Sequence, residues 1–308
     1  MRSSGLRSPM SPLGLPRQAL RGLSPDGRAG RTLARLSGPW VRESDRLTYL
    51  ALAELVRRHS PGDVPVPSPQ QPLTRFECRV FSQNGEDGVL AELLHRLGSG
   101  GEWFVEFGIE SGAQGNCVFL ADVMGWSGLF LEPQENVFGE LQRRFSANPA
   151  VRTLQAFVRP DNVEDLFAQA GVPTEPDVLS IDVDGNDYWI WQAITNYSPR
   201  IVVIEYNAHW PLLARWVQPY DPERAWQGTD NYGASLGALR SLGEEKGYKL
   251  VHTELTGINA FFVRADIAAV LPAPEVVPLR APNHFLTGGS HSAHPAPAPP
   301  IVDLDAAS

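Results

Sequence analysis

Cysteine is scarce in this chain, and that scarcity limits the kinds of site it can form. Cys78 and Cys117 are the only two cysteines among 308 residues. Two cysteines supply neither the disulfide framework of a small secreted domain nor the ligand set of a structural zinc site. The low cysteine content favours a reducing compartment, and we therefore expect a cytoplasmic location.

Long apolar runs are also missing. No stretch of the sequence approaches the roughly 20 consecutive apolar residues that cross a bilayer as a helix. The first residues lack the continuous apolar segment of a secretory signal. We therefore expect no membrane partner.

Positive charge is concentrated in the first 45 residues and is deficient elsewhere. The whole chain carries a net charge of −9; residues 1–45 contain eight Arg and three acidic residues, a net +5, so the remainder carries −14. Nucleic-acid binding relies on clustered Lys and Arg, so this balance argues against a nucleic-acid partner. The basic segment either contacts an anionic partner or is a solvated tail, and its Gly and Pro content favours a disordered tail.

The composition changes three times along the chain. Residues 1–45 are the Arg-rich tail, and residues 46–72 combine an amphipathic helical pattern with a proline-rich linker. Residues 73–270 have the composition of a globular domain. Residues 271–308 are rich in Pro, Ala and Gly and are predicted to form a second tail.

Short apolar runs alternate with helical patterns throughout residues 73–270. Runs of this length without polar alternation are typical of strands buried on both faces of a parallel sheet. The predicted strands are Trp103–Phe107, Gly128–Glu132, Val151–Gln155, Asp177–Asp182 and Ile201–Glu205, and helical patterns follow at 116–124, 134–146, 161–170 and 187–195. This alternation predicts a doubly wound α/β domain.

The rhythm changes after the fifth predicted strand. A helical pattern at 233–246 leads into two apolar runs, Tyr248–Val251 and Asn259–Val263, that are separated by a short loop containing Gly257. Two strands joined in this way form an antiparallel hairpin. The sequence therefore predicts a seven-stranded, mostly parallel sheet with a C-terminal hairpin, which is the layout of class I methyltransferases.

The end of the first strand is the first place to search for a site, because ligands of such sheets bind beyond the carboxyl ends of the strands. Glu106 lies at the end of this strand and Gly108 and Gly112 follow it. The glycines permit a tight backbone turn against a cofactor, and Glu106 suits the ammonium group of a bound amino acid. An ordinary strand-to-helix turn is the alternative interpretation.

The second strand ends in Glu132, which precedes Pro133. A carboxylate at this point can accept hydrogen bonds from both hydroxyl groups of a ribose. The alternative is an exposed residue that caps the next helix. Together with the glycine turn, Glu132 favours a nucleoside-containing cofactor.

The fourth strand is followed by three aspartates within six residues, Asp182, Asp184 and Asp187. Like charges placed so close together reduce stability unless a cation, a substrate or hydrogen-bond donors offset them. They can hold Mg²⁺, orient the amino group of a cofactor or supply a general base. Asp187 can also simply cap the helix that follows.

The fifth strand brings further polar groups to the same edge. Glu205 and Asn207 are expected beside Asp182, on neighbouring strands, and Asp182, Asp184 and Glu205 form the candidate Mg²⁺ site. His209 is a candidate proton acceptor near neutral pH, or a hydrogen-bonded structural residue. The aromatic-rich segment 208–232 is either an acceptor wall or ordinary packing.

These motifs together resemble the FkbM-type methyltransferases, over about residues 75–265. The resemblance rests on Ser82–Asp87, Val105–Gly108, Leu131–Pro133, Ser180–Asp187 and Val203–Asn207. It implies S-adenosylmethionine as cofactor and methyl transfer to a hydroxyl group of a small molecule or glycan. It also implies that Glu106, Gly108 and Glu132 contact the methionine and ribose parts, that Phe157 faces adenine, and that Asp182 stands beside the transferring methyl group.

Two other functions are compatible with parts of the pattern. A nicotinamide-dependent oxidoreductase should carry Gly-x-Gly-x-x-Gly after its first strand, and residues 108–113 do not match it. A binding module with the methyltransferase fold but without turnover is the second alternative, because fold does not determine function. Glu110, which stands in the first turn where many methyltransferases carry Gly, permits it.

Overall fold

The computed structural model describes residues 71–223, 232–271 and 301–306. All of them fall within the second of two units into which the chain divides, Leu55–Ser308. The predicted N-terminal tail, nearly all of the predicted segment 46–72 and most of the predicted C-terminal tail lie outside these residues.

Nine strands and five α-helices make up the described part of the chain. The strands are β1 (Trp103–Phe107), β2 (Ser127–Glu132), β3 (Val151–Gln155), β4 (Val178–Ile181), β5 (Ile201–Glu205), β6 (Trp216–Val217), β7 (Tyr248–Thr253), β8 (Asn259–Arg264) and β9 (Val302–Asp303). The helices are α1 (Glu86–Leu97), α2 (Glu135–Phe145), α3 (Val163–Ala170), α4 (Asp187–Ala193) and α5 (Leu236–Glu245), with single 3-10 turns at Leu73–Phe76 and Ala268–Val270. The longest helix, α1, has 12 residues, and within the described ranges no helix is long and apolar enough to cross a bilayer.

Seven strands form one sheet in the order β3-β2-β1-β4-β5-β8-β7. The first five strands are parallel, whereas β8 runs antiparallel to both β5 and β7. The predicted fold class, a mostly parallel seven-stranded sheet that ends in an antiparallel hairpin, is confirmed. The chain leaves β1 toward β2 on one side and later returns to β4 on the other, so the switch point in strand order lies between β1 and β4. Ligands of open α/β sheets bind at this point.

The sheet is covered on both faces, which explains its apolar strands. All four residues of β4 are buried, as are the first four residues of β5. In the core, the indole of Trp191 on α4 packs against Phe262 of β8 with ring centroids 4.9 Å apart. Burying side chains of this size contributes roughly 1.5–3 kcal/mol each. This packing fixes the strand ends from which the candidate site is built.

Two local features differ from the prediction. The helix expected at 116–124 is reduced to a short turn whose last five residues, Leu120–Met124, are π-helical. The backbone N–H groups of its predicted first residues, Asn116 and Cys117, instead donate hydrogen bonds to the side-chain carboxylate of Glu106. In addition, Val302–Asp303, which lies in the predicted C-terminal tail, pairs antiparallel with Trp216–Val217. Strands of two residues are too short to produce a recognisable apolar pattern.

Candidate functional site

Gly108 occupies the switch point and leaves its backbone open to a ligand. The residue is exposed and has a φ of +66°, and a Cβ atom placed on it would lie 1.9 Å from the carbonyl oxygen of Asp182. Its N–H donates to the carbonyl of Leu131 at 3.1 Å. Only glycine accommodates both the left-handed backbone and the close approach of the chain after β4. The turn after β1 and the loop after β4 therefore form one surface.

Gly112 has a different neighbour. It is buried with a φ of +73°, and a Cβ atom there would lie 2.9 Å from the side chains of Leu141 and Phe145 on α2. The glycine thus lets the loop after β1 pack closely on α2. The structure gives Gly112 a packing contact, and its predicted cofactor contact remains a prediction.

Glu132 links the loops that follow β1 and β2. The residue is only 2% exposed, and its two carboxylate oxygens accept hydrogen bonds from the backbone N–H groups of Glu110 and Gln134, each at 2.9 Å. Glu110 itself has a left-handed backbone, with a φ of +54°. Glu132 therefore holds the glycine turn in place beside the end of β2, where the sequence predicts ribose binding.

Glu106 lies below the edge of the sheet. Its carboxylate accepts hydrogen bonds from the backbone N–H groups of Asn116 at 2.7 Å and Cys117 at 2.9 Å. Burial raises the pKa of Glu106 to about 8, although these two hydrogen bonds act in the opposite direction. The predicted contact with a cofactor ammonium group is thus placed on a carboxylate that already organises the chain after the glycine turn.

Phe157 presents an exposed aromatic ring just after β3. Its side chain is 40% exposed, and its carbonyl accepts a hydrogen bond from the side-chain amide of Asn162 at 3.0 Å. The neighbouring strand β2 ends at Glu132, which pairs in register with Gln155. Phe157 and Glu132 therefore belong to the same edge of the sheet.

Asp182, Asp184 and Glu205 converge on the other side of Gly108. Each of the three offers a carboxylate oxygen, and these oxygens all lie within 4.8 Å of one another. Burial, followed by repulsion from neighbouring carboxylates, raises the pKa values of Asp182 and Glu205 well above their usual range. Oε2 of Glu205 is buried and has no hydrogen-bond partner. This cluster of oxygens is suited to a divalent cation.

Asp187 sets the shape of the loop that carries Asp182 and Asp184. Its carboxylate accepts hydrogen bonds from the N–H groups of Val183 and Gly185, each at 2.9 Å, and it is the first residue of α4. Burial raises the pKa of Asp187 to about 6, against the effect of these hydrogen bonds. Asp187 is therefore a loop-closing group. The predicted helix-capping role is not what the structure shows, because the N-cap residue is Asn186 and the two donors lie in the loop before the helix.

The residues after β5 are held largely through Asn207. Its side-chain N–H donates to the carbonyl of Tyr232 at 2.9 Å, and its side-chain oxygen accepts from the backbone N–H of His209 at 2.9 Å. Thus the backbone of His209 is tied to the end of β5, while its proposed catalytic role remains a prediction.

The aromatic-rich segment 208–232 contains both packed and exposed rings. Trp210 and Trp216 meet edge to face with centroids 6.4 Å apart, and Tyr220 is exposed. Two side-chain hydrogen bonds attach this segment to α4 and to the loop before it. Asn186, which precedes α4, donates to the carbonyl of Asp221 at 2.7 Å, and Trp189 on α4 donates to that of Gln218 at 2.8 Å. Ordinary packing therefore holds for Trp210 and Trp216, and the acceptor wall remains a prediction.

Further carboxylates and an amide lie behind the cluster and were missed by sequence reasoning. Glu86, Asp87, Glu254 and Asn259 are all buried. Glu86 accepts from Asn259, and Asp87 accepts from three consecutive backbone N–H groups of Val80, Phe81 and Ser82. Glu86 and Asp87 are the first two residues of α1, and Asn259 opens β8 after a glycine turn, so ordinary structural roles account for all three in the sequence.

Comparison with known proteins adds structural likeness only. No family model and no curated protein matches the chain. Among solved structures, the chain is similar to the N-terminal domain of EvdMO1 with S-adenosylhomocysteine (SAH) bound, at 15% identity over 68% of this chain and 94% of that one, with a TM-score of 0.39. It is similar to the fibrillarin pre-rRNA processing protein of Methanococcus jannaschii at 12% identity, 58% and 76% coverage and a TM-score of 0.38. It is similar to the CurJ carbon methyltransferase at 14% identity, 77% and 70% coverage and a TM-score of 0.38. Likeness at this level carries no weight for function, which has to be inferred from the site.

Proposed function

We propose that this chain is an S-adenosylmethionine-dependent methyltransferase of the FkbM type that methylates a hydroxyl group on a small molecule or glycan. The observation that carries the proposal is the position of Gly108, whose open backbone lies at the switch point directly against Asp182. A cofactor seated on that backbone would lie between the exposed ring of Phe157 and the carboxylates around Asp182. The strand order and the sequence resemblance support the same function.

The residues at this edge offer chemical groups that suit the parts of the cofactor. S-adenosylmethionine, when bound, supplies an activated methyl group on a positively charged sulfur. Phe157 offers an exposed ring for the adenine base, and Glu132, whose two oxygens each keep a free lone pair, offers acceptors for the ribose hydroxyl groups. The surplus of carboxylates around Asp182 favours a cationic sulfur.

The chain must also remove the proton of the acceptor hydroxyl and hold that oxygen in line. Without a bound divalent ion, Asp182 is the proposed proton acceptor, because burial raises its pKa toward the range in which a carboxylate is an efficient general base. His209 is the alternative group. Orientation of the reacting atoms alone can contribute roughly 7–11 kcal/mol to such a reaction.

A divalent ion, most simply Mg²⁺, is the second part of the proposal. Asp182, Asp184 and Glu205 would hold it, and their oxygen atoms fit a hard cation. The buried and unpartnered Oε2 of Glu205 favours such an ion, since an ion would satisfy it. The ion would act as a Lewis acid that lowers the pKa of the acceptor hydroxyl.

Binding of SAH, measured by calorimetry, tests the cofactor site. We expect Phe157→Ala to weaken SAH binding by about 5- to 150-fold, which corresponds to the roughly 1–3 kcal/mol of base stacking on an aromatic ring. Val270→Ala is a matched control, because Val270 is also an exposed apolar residue but follows β8, which ends at the opposite edge. Unchanged SAH affinity in Phe157→Ala, or no SAH binding by the native chain, would contradict the proposal.

A transfer assay separates an enzyme from a binding module. Methyl transfer from labelled cofactor to a panel of hydroxylated sugars and phenols is expected for the native chain and is expected to fall at least 100-fold in Asp182→Asn. SAH binding without transfer to any acceptor would instead favour the silent binding module.

A further inference from the structure

Asn259 has a buried oxygen whose need for a partner is not met. The side chain is 4% exposed, and its nitrogen donates to Oε1 of Glu86 at 2.9 Å. That bond fixes the orientation of the amide and directs the opposite atom, Oδ1, away from Glu86. Oδ1 is buried and has no hydrogen-bond partner. A buried acceptor left in this state costs roughly 1–3 kcal/mol, so the position calls for a ligand.

The strand register places Asn259 beside Glu205, one of the three carboxylates of the cluster. Asn259, the first residue of β8, is the direct antiparallel partner of Glu205, the last residue of β5. Residues opposite one another in this way project from the same face, with Cβ atoms roughly 4.5–5.5 Å apart. Oε2 of Glu205 is likewise buried without a partner. Two neighbouring strands therefore present unsatisfied oxygen acceptors on one face.

We propose that Oδ1 of Asn259 is a fourth oxygen ligand of the divalent ion assigned to Asp182, Asp184 and Glu205. This inference rests on the metal part of the proposed function and extends it to the acceptor. Mg²⁺ takes about six oxygen ligands, so four protein oxygens leave two positions. An acceptor with two adjacent oxygens, such as a vicinal diol, fills both.

The composition of the cluster favours a divalent ion over an organic cation. Three carboxylates lie within 4.8 Å of one another, and a single ammonium group offsets only one of their charges. An ammonium group also offers three N–H donors, fewer than the four oxygens gathered here. A side-chain amide oxygen is an ordinary neutral ligand for hard cations.

Mn²⁺ is a suitable probe, because its free and bound forms are distinguished by electron paramagnetic resonance without any assay of activity. We expect Asn259→Ala to weaken Mn²⁺ binding at least tenfold. Asn84→Ala is the matched control: the amide of Asn84 also donates to Oε1 of Glu86, at 3.3 Å, so this variant removes a donor from Glu86 but leaves Asn259 intact. It should change Mn²⁺ affinity less than twofold.

Asn259→Asp tests whether the loss of Mn²⁺ binding in Asn259→Ala is due to the missing oxygen or to a disturbed structure. It keeps the volume and an oxygen at the same position, so it should recover most of the Mn²⁺ affinity that Asn259→Ala loses, although it also loses the bond to Glu86. Circular dichroism establishes that the variants are folded. Equal Mn²⁺ affinity in the native chain and Asn259→Ala, or no recovery in Asn259→Asp, would overturn the assignment.

The acceptor class is tested on the SAH complex with Mn²⁺ bound. The paramagnetic relaxation of water protons should fall when cis-1,2-cyclohexanediol is added and should change little with cyclohexanol, because only the diol displaces two bound waters. An equal response to both alcohols overturns the diol inference. Absence of SAH binding would instead reject the cofactor proposal, while the Mn²⁺ measurements would still decide the role of Asn259.

Discussion

Asp177, at the amino-terminal edge of the parallel sheet, and the cluster of Asp182, Asp184 and Glu205, at the carboxyl-terminal edge, differ in how their charge is matched. At the amino-terminal edge, Asp177 is fully buried and accepts hydrogen bonds from the N–H groups of Gly100 and Glu102, each at 2.6 Å. It also pairs with Arg200 at 2.5 Å, and this arginine donates in addition to the carbonyl of Leu97 at 3.1 Å. The charge of Asp177 is matched by a cation and by donors within the chain.

The cluster of Asp182, Asp184 and Glu205 at the carboxyl-terminal edge has no matching cation among the described residues. Within residues 71–223, 232–271 and 301–306, no Lys or Arg side chain pairs with Asp182, Asp184 or Glu205. Burial and repulsion from neighbouring carboxylates act together on Asp182 and Glu205. The buried Asp177–Arg200 pair therefore stabilises the fold at one edge, whereas the cluster at the other edge carries charge that a ligand can satisfy.

The largest effect is expected for Arg200→Met, which removes the cation of the Asp177–Arg200 pair. The variant keeps much of the apolar stem but leaves Asp177 buried without its cation, and breaking a buried pair from one side costs about 3–5 kcal/mol. We expect that decrease in the free energy of unfolding, measured in urea. Arg240→Met is the control, because Arg240 pairs with Glu244 on an exposed face and should cost less than about 0.5 kcal/mol. Similar losses in both variants would refute the special role of the buried pair.

The pH dependence of the free energy of unfolding tests the effect of the buried carboxylates. Burial raises the pKa values of Asp87 and Asp187 to about 6 and that of Glu106 to about 8. Each native pKa lies above its unfolded value, so these groups contribute stability at low pH that is lost as pH rises through the native pKa. We expect the free energy of unfolding to fall between about pH 4, near the unfolded pKa values, and about pH 8, the highest of these native values.

The expected fall is at least about 1.4 kcal/mol, the equivalent of one pKa unit. Glu106→Gln should reduce the slope throughout this range, including the part above pH 6.5, whereas Asp87→Asn should reduce it only below about pH 6.5. A free energy of unfolding that stays constant or rises over this range would show that the carboxyl-terminal edge is not under electrostatic strain.

The smallest effect is expected for Glu205→Gln. This change removes a charge that repels Asp182 and Asp184 and preserves the shape of the side chain, so stability at pH 8 should stay the same or rise by up to about 1 kcal/mol. Thermal unfolding without added metal measures it. A loss of more than about 1 kcal/mol would mean that Glu205 has a stabilising partner in the folded chain.

Much of the fold was predictable because the apolar runs and the turn residues of the sequence indicate the same strands and connections. The apolar run Trp103–Phe107 is the strand β1 in the structure, and the glycine-containing loop between the last two predicted strands closes the hairpin of β7 and β8. The proximity of Glu205 to Asp182 also followed from the sequence, since neighbouring parallel strands end at one edge.

The rest depended on contacts between distant parts of the chain. Asn259 lies beside Glu205 only because β8 pairs with β5, a partner that the hairpin pattern does not identify. Glu86 and Asp87 open α1 at positions typical of ordinary helix starts. In the structure Glu86 is bonded to Asn259 of β8, and Asp87 is bonded to the backbone of the segment before α1. The sequence also gives no sign that Glu106 is already engaged by Asn116 and Cys117.

The contact between Gly108 and the carbonyl of Asp182 has a mechanical consequence. No side chain fits between the two strands there, so neither loop can shift toward the other, and a displacement of one is transmitted directly to the other. A nucleoside that presses on the turn after β1 would therefore reposition the acid loop after β4. Under the proposed function, this shared backbone would align the cofactor with the acceptor.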